Sequence, residues 1–365
     1  MLRYCGARKD KLRARLPQRK FITQIYTLLN TAAFMNGLAP RPTPRSAPPL
    51  HPAMQLLLLL GLAVAGLCLA SLLALVLAHT LYGLSIVQFG QLATAPETFP
   101  HGWDVLMLYQ GLSLAGAGVG VAMLPLLMRQ SVASYFAPRR LGAAWWPLAA
   151  GLVILCSVPF LSALVSWNAS AHFPAALHDF ELWARDKEDQ AAGLTKFLTD
   201  FNTPGRLLVG LIVIAIVPAM AEELVFRGGV QRNLVEWFGS RHVGVWLAAA
   251  IFSAIHVQFF GFVPRFVLGL ILGYLFEWSG NIVVSMAAHF TQNAFQLILL
   301  YLAQGKKLPS YFDPDSTQPL PWPPVLLSAV LTAALLYWLH QRWAAGRATP
   351  SSDFDVAAPS ERRLP

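Results

Sequence analysis

The chain of 365 residues is 56% hydrophobic and only 12% charged, with a formal net charge of +9 and a mean hydropathy of +0.51. A soluble domain carries about 25% charged residues, so these values exclude a soluble globular protein. The basic balance does not point to nucleic acid either, because Lys and Arg gather in the first 20 residues, in short loops and at the C-terminus, as they do in positive-inside membrane proteins.

In chain order, residues 1–53 are basic and then rich in Pro, which predicts a disordered cytoplasmic tail. Met35 and Met54 are further candidate starts, and a tail of this length is a poor n-region for a cleavable signal peptide. Eight apolar stretches follow, each near the length that crosses about 30 Å of hydrocarbon. They lie at 54–79, 105–128, 143–167, 205–226, 243–260, 263–279, 282–303 and 323–341. The first three form an N-terminal block, 54–167, and 168–204 reads as an amphipathic extracytoplasmic segment. Residues 205–303 form the core, 304–345 a final loop and span, and 346–365 a second disordered tail. The expected fold class is thus an all-α polytopic membrane protein of about eight transmembrane helices enclosing an intramembrane cavity.

The loops predict orientation. Arg129, Arg139 and Arg140 follow the second span, Arg227, Arg232 and Arg241 the fourth, and Arg342, Arg347, Arg362 and Arg363 end the chain. The 168–204 segment is net acidic, with Asp179, Glu181, Asp186, Glu188, Asp189 and Asp200. This alternation places both termini in the cytoplasm of a multi-pass protein of the plasma membrane, with Lys306 and Lys307 as a local exception beside Asp313 and Asp315. Arg265, at the start of the sixth span, is expected to snorkel outward. Of Cys5, Cys68 and Cys156, two lie in apolar spans and none forms a CxxC pair, so no disulfide framework is expected.

Ionisable groups inside apolar helices are costly and mark function. Three clusters break the apolar pattern, all in the second half of the chain. Glu222, Glu223 and Arg227 are placed at the cytoplasmic end of the fourth span, where Glu223 and Arg227 share a face as an i,i+4 pair and Glu222 points elsewhere, rotated by about 100°. A carboxylate without a cation in a low-dielectric site suits a general base. Pro218, four residues earlier, removes a helix hydrogen bond and can open the helix there. His256 lies in the fifth span, one turn after Phe252, and His289 and Asn293 share a face of the seventh. Taken singly, an interfacial ion pair, a packed histidine and an interhelical clamp account for them. Together they present a base, two imidazoles and an amide to one place. Glu222 and His256 can activate water while His289 and Asn293 donate to an oxyanion. Alternatively Glu222, His256 and His289 can bind a divalent metal such as zinc. The residue types leave the cofactor open between a metal and none.

The motifs Glu222-Glu223-Leu-Val-Phe-Arg227, Phe252-Ser-Ala-Ile-His256 and His289-Phe-Thr-Gln-Asn293 resemble those of the CAAX prenyl protease and bacteriocin-processing (CPBP, or Abi) family of intramembrane endopeptidases. The resemblance implies cleavage of a peptide bond in a membrane-associated substrate, either CAAX-like or a leader peptide, in contact with the lipid bilayer and with no nucleic acid. It implies Glu222 as the catalytic base, Glu223 and Arg227 as its supporting pair, His256 as a second water- or metal-holding residue, and His289 and Asn293 as oxyanion donors. HExxH and GxGD motifs and a GxSG serine are absent, which removes three other intramembrane protease classes. A non-catalytic scaffold or immunity protein, and a proton-coupled transporter, are the alternatives from other classes.

Overall fold

The computed structural model describes residues 50–92, 94–308 and 319–348, with side chains up to 345. Apart from residues 50–53 and 346–348, the two expected tails lie outside the described residues, as do Cys5, Asp313 and Asp315. Among the described residues every regular element is helical. We label them α1 (Pro52–Tyr82), α2 (Gly102–Leu127), α3 (Trp146–Ala169), α4 (His178–Leu198), α5 (Pro204–Phe238), α6 (Arg241–Ala254), α7 (Phe262–Ser279), α8 (Ile282–Gln304) and α9 (Trp322–Ala348). All except α4 and α6 are long and apolar enough to cross a membrane, seven in all. The protein is therefore an all-α, multi-pass membrane protein.

Helix α1 shows its neighbours one face and the outside the rest: Leu57, Leu60, Leu69 and Leu72 are exposed, as on a lipid-facing surface. Its inner face meets α2 through glycines. A Cβ on Gly116 would fall 2.4 Å from the Gly66 carbonyl oxygen, and one on Gly120 would fall 2.1 Å from that of Leu62. Only small residues allow backbones this close. On the opposite face of α2, Gly118 abuts Ala221 of α5, where a Cβ would come within 3.0 Å. That contact packs α2 directly behind the acidic pair.

Helix α5 corrects the expected boundary. Its helical run continues for 35 residues, so Glu222 and Glu223 sit near its middle rather than at a cytoplasmic end, and Arg227 and Arg232 belong to the helix rather than to a loop. Hydropathy stopped at 226 because a polar stretch follows. Internal hydrogen bonds hold that stretch within the bundle. Gln231 Nε2 donates to the Gly273 carbonyl (3.0 Å), Arg232 Nη1 to that of Tyr135 (2.6 Å), and Asn233 Nδ2 to that of Gly229 (2.9 Å). Two π-helical stretches, Leu211–Ile216 and Leu224–Gln231, bracket the acidic pair. Such widened turns are rare and recur at functional sites.

The fifth expected span, 243–260, is likewise corrected. Helix α6 has 14 residues, about 21 Å of rise, and the chain then turns. Residues 255–261 remain mostly apolar in sequence, which hydropathy reads as helix. Their backbone is instead held by side chains: Asn168 of α3 donates to the Phe259 carbonyl (3.3 Å) and accepts from Val263 N–H (2.7 Å), while Ser253 Oγ donates to the Phe262 carbonyl (2.7 Å). Irregular backbone at membrane depth persists only when satisfied in this way. Val257 adopts φ 52°, an outlier for a β-branched residue that costs on the order of 1–3 kcal/mol.

Helix α4 occupies the middle of the segment 168–204 expected to be amphipathic, and it is one helix. Its end is fastened by Trp103, whose Nε1 donates to the Leu198 carbonyl (2.9 Å). Its apolar face packs on the turn after α6, with the Phe180 and Phe259 rings 5.0 Å apart and the Arg185 guanidinium 4.0 Å above the Phe260 ring.

Candidate functional site

Five of the six candidate residues lie in mutual contact or one residue removed from it, on α5, α8 and the end of α6. Glu223 and Arg227 are both fully buried, and Glu223 Oε2 lies 3.2 Å from Arg227 Nε. The other oxygen of Glu223 is 3.0 Å from Nδ1 of His289. Glu222 points to the opposite side of the same imidazole, its Oε2 3.8 Å from Nε2. That distance exceeds a hydrogen bond. The Glu222 side chain is 19% exposed, against 4% for His289 and none for Glu223. Of the two adjacent carboxylates, one is committed to fixed partners and the other has none within hydrogen-bond distance.

The Arg227 guanidinium has little else to bind. Its nitrogens are buried without hydrogen-bond partners, and its carbon lies 5.0 Å from the centre of the Phe252 ring. Phe252 is the hub of the site. Its ring meets His256 edge-on at 5.3 Å, His289 at 6.1 Å and Phe226 at 5.1 Å. The first residue of the Phe252-Ser-Ala-Ile-His256 motif thus separates and orients both imidazoles.

Hydrogen bonds set the tautomers. His256 Nδ1 lies 2.8 Å from the Phe252 carbonyl, which can only accept, so Nδ1 carries the proton and Nε2 of the neutral ring is an acceptor. The ionised Glu223 imposes the same tautomer on His289. His289 therefore donates from Nε2 only as an imidazolium. This refines the expected pairing of His289 with Asn293 as two oxyanion donors.

Asn293 stands one helix turn along α8, and its Nδ2 donates to the Ile214 carbonyl at 3.4 Å. Pro218, lacking an N–H, cannot donate to that carbonyl four residues earlier. The expected opening of the helix at Pro218 is therefore local, and the amide of Asn293 closes it. One amide hydrogen remains for another acceptor.

The histidine tautomers resemble those of metal-binding histidines held by second partners. The donor atoms nevertheless do not converge: among the described residues no group of three His, Cys, Asp or Glu side chains is placed to hold a metal ion. The set Glu222, His256 and His289 does not form one in this arrangement.

Arg265 departs most from expectation. It does not snorkel outward. It turns into the fold, where Nη2 donates to Gln258 Oε1 (2.5 Å) and Nη1 is buried without a hydrogen-bond partner. Its charge acts on Glu222 and on His256. The sequence did hold a signal, since Arg265 is the lone charge between Phe259 and Phe276, and such residues mark function. Two surface grooves, about 560 Å³ between α3 and α9 and about 460 Å³ at the C-terminal end of α3, lie away from this cluster.

Comparison with known proteins places the likeness on the same segment. Residues 204–295 match the family model described as type II CAAX prenyl endopeptidase Rce1-like. An uncharacterized protein of Bacillus subtilis (strain 168), YpbD, is 33% identical over 93 residues, which is 24% of this chain and 44% of that protein. The chain thus matches less than half the length of this relative. No solved structure matches. The family resemblance carried by the three motifs holds over the stretch that contains all six candidate residues and Arg265.

Proposed function

We propose that this chain is an intramembrane endopeptidase that hydrolyses a peptide bond of a membrane-associated, CAAX-like or leader-peptide substrate, with Glu222 as the base that activates water. One observation carries the reading: of two adjacent carboxylates, Glu223 is consumed by Arg227 and His289, while Glu222 stays partly exposed and free of a direct hydrogen bond. A base must be within reach of its proton and uncommitted. The match of residues 204–295 to the Rce1-like model supports the same chemistry.

Glu222 draws one proton from a water molecule, whose oxygen attacks the scissile carbonyl carbon. The carbonyl electron pair moves to its oxygen, which receives the remaining amide hydrogen of Asn293. The acceptor nitrogens of His289 and His256 hold the water's second hydrogen and aim its lone pair. Glu222 then passes its proton to the leaving nitrogen, the C–N bond breaks, and a carboxylic acid and an amine result. Glu223 and Arg227 do not react. They hold His289 in one orientation and one tautomer. In this reading the protein sits in the plasma membrane with both termini in the cytoplasm.

The test needs no assumed substrate. Wild type and Glu222→Gln are expressed at equal level in cells lacking the gene, and peptide termini of the membrane fraction are compared by mass spectrometry. Termini that appear only with wild type are the expected result and name the substrates. Identical profiles would overturn the peptidase reading in favour of a scaffold or immunity protein.

A further inference from the structure

An arginine keeps its charge at any accessible pH, and whatever part of it is withdrawn from water is costly unless an anion meets it. Arg227 has Glu223 for this purpose. Arg265 has a neutral amide instead: Nη2 donates to Gln258, and Nη1 is buried with no hydrogen-bond partner. The two acids in electrostatic range of Arg265 are Glu188 and Glu222. Neither reaches ion-pair distance of it: Glu188 Oε2 accepts from Phe260 N–H (3.3 Å), and Glu222 faces His289 (3.8 Å). The fold holds the guanidinium in place. Gly261 leaves it room, since a Cβ there would meet its two terminal nitrogens at 3.3 and 3.4 Å. The strained Val257 turns the chain between His256 and Gln258, so that one short segment carries both a catalytic imidazole and the seat of Arg265.

We propose that Arg265, seated on Gln258, is the anion-recognition group of this site and binds a carboxylate of the substrate close to the scissile bond. The proposal rests on the peptidase reading for what is cleaved, but not for what is bound. A guanidinium presents a planar fork that matches a carboxylate in two parallel hydrogen bonds. Nη1 is an unused tine of that fork, and the amide nitrogen of Gln258 adds donors beside it. Gln258, on which Arg265 sits, is two residues from His256, so a carboxylate docked on Arg265 places a peptide bond a short distance up the chain at the site. Arg265 thereby selects which bond is cut. The carboxylate has two sources, the C-terminus of the substrate or an Asp or Glu side chain.

The test measures binding, which does not depend on turnover. The full chain is placed in nanodiscs, and fluorescence anisotropy follows three labelled probes of one farnesylated octapeptide: a free C-terminal acid, its C-terminal amide, and the amide with a Glu near its end. Wild type is expected to bind at least one acidic probe about tenfold or more tighter than the neutral amide, as charge-assisted hydrogen bonds imply. Preference for the free acid identifies the terminus as the source, and preference for the Glu probe identifies a side chain. Arg265→Gln is expected to bind all three equally, and Arg265→Lys to keep part of the preference. Equal binding of all probes by wild type overturns the proposal, as does an undiminished preference in Arg265→Gln. If Arg265→Gln does not fold, the wild-type comparison and Arg265→Lys still decide. Cleavage is scored in parallel. Carboxylate-dependent binding without cleavage in any probe would leave Arg265 assigned and count against hydrolysis alone.

Discussion

Two clusters in this protein use the same three residue types at the same helical spacing. On α4, Glu181 pairs with Arg185 four residues on (2.7 Å) and with His172 (2.9 Å). On α5, Glu223 pairs with Arg227 four residues on (3.2 Å) and with His289 (3.0 Å). What separates them is water. In the α4 cluster His172 is 78% exposed and Arg185 36%, whereas Glu223 and Arg227 are fully buried. Solvated pairs are screened and contribute little. Buried pairs are costly to form and costlier to break. The α4 cluster therefore fastens a surface helix, while the α5 cluster holds one imidazole rigidly beside an uncommitted acid. The same chemistry becomes a latch in one place and a rigid seat for an imidazole in the other.

The sharpest way to break this comparison is to unpair the buried cluster. Glu223→Ala is expected to destabilise the protein by about 3–5 kcal/mol and to abolish activity, read as the thermal transition in detergent beside a cleavage assay. Joint replacement, Glu223→Met with Arg227→Leu, should recover much of that stability, because an apolar pair replaces a buried ionic one at little cost. It should not recover activity, since His289 then loses its orienting partner. A double variant as unstable as Glu223→Ala would refute the account of the pair.

Next in size is Glu222→Gln. It should lower the rate by about 10²–10⁴-fold with an unchanged thermal transition, because this side chain has no committed partner. Asn293→Ala should cost about 10²–10³-fold in kcat. It also uncaps the Ile214 carbonyl, so hydrogen exchange should rise in the turn before Pro218. Unaltered exchange there would break the link between the proline and the amide.

The smallest effect belongs to the solvated cluster. Hydrogen bonds from Arg185 and from Phe173 N–H hold the Glu181 carboxyl down at about 2, against an ordinary value of 4.5. A lowered carboxylate contributes stability above its ordinary value and loses it as pH falls toward the lowered one. Hydrogen exchange in α4 should therefore speed up between about pH 4.5 and 2, and Glu181→Gln should produce the same change at neutral pH. Neither change should move the global transition of the bundle, and a large shift would show that the latch is structural after all.

Much of this was legible beforehand. Alternation of apolar and basic stretches was enough for the membrane class and for seven of the helices. The three polar motifs stood out because charge inside an apolar run is costly. Other features were not legible for one reason: hydropathy assumes that polar residues leave the membrane. Arg227, Gln231 and Arg232 looked like a loop, yet internal partners keep them in α5. Arg265 looked like a snorkelling end, yet it turns inward onto Gln258. The turn after α6 looked like helix because its residues are apolar, while Asn168, Ser253 and the strained Val257 hold it open.

The sequence by itself determined that this is a helical membrane protein, and it determined which residue types stand ready for acid–base chemistry. Spacing along one helix also determined that Glu223 faces Arg227 and that Glu222 does not. Only the tertiary structure decided that His289 stands between the two acids, that Asn293 closes the gap opened by Pro218, and that Arg265 faces inward. The physical reason is that periodicity reports which residues share a face of one helix. Which faces meet depends on close backbone contacts, such as that of Gly118 with Ala221, and on where each buried polar group finds its partner.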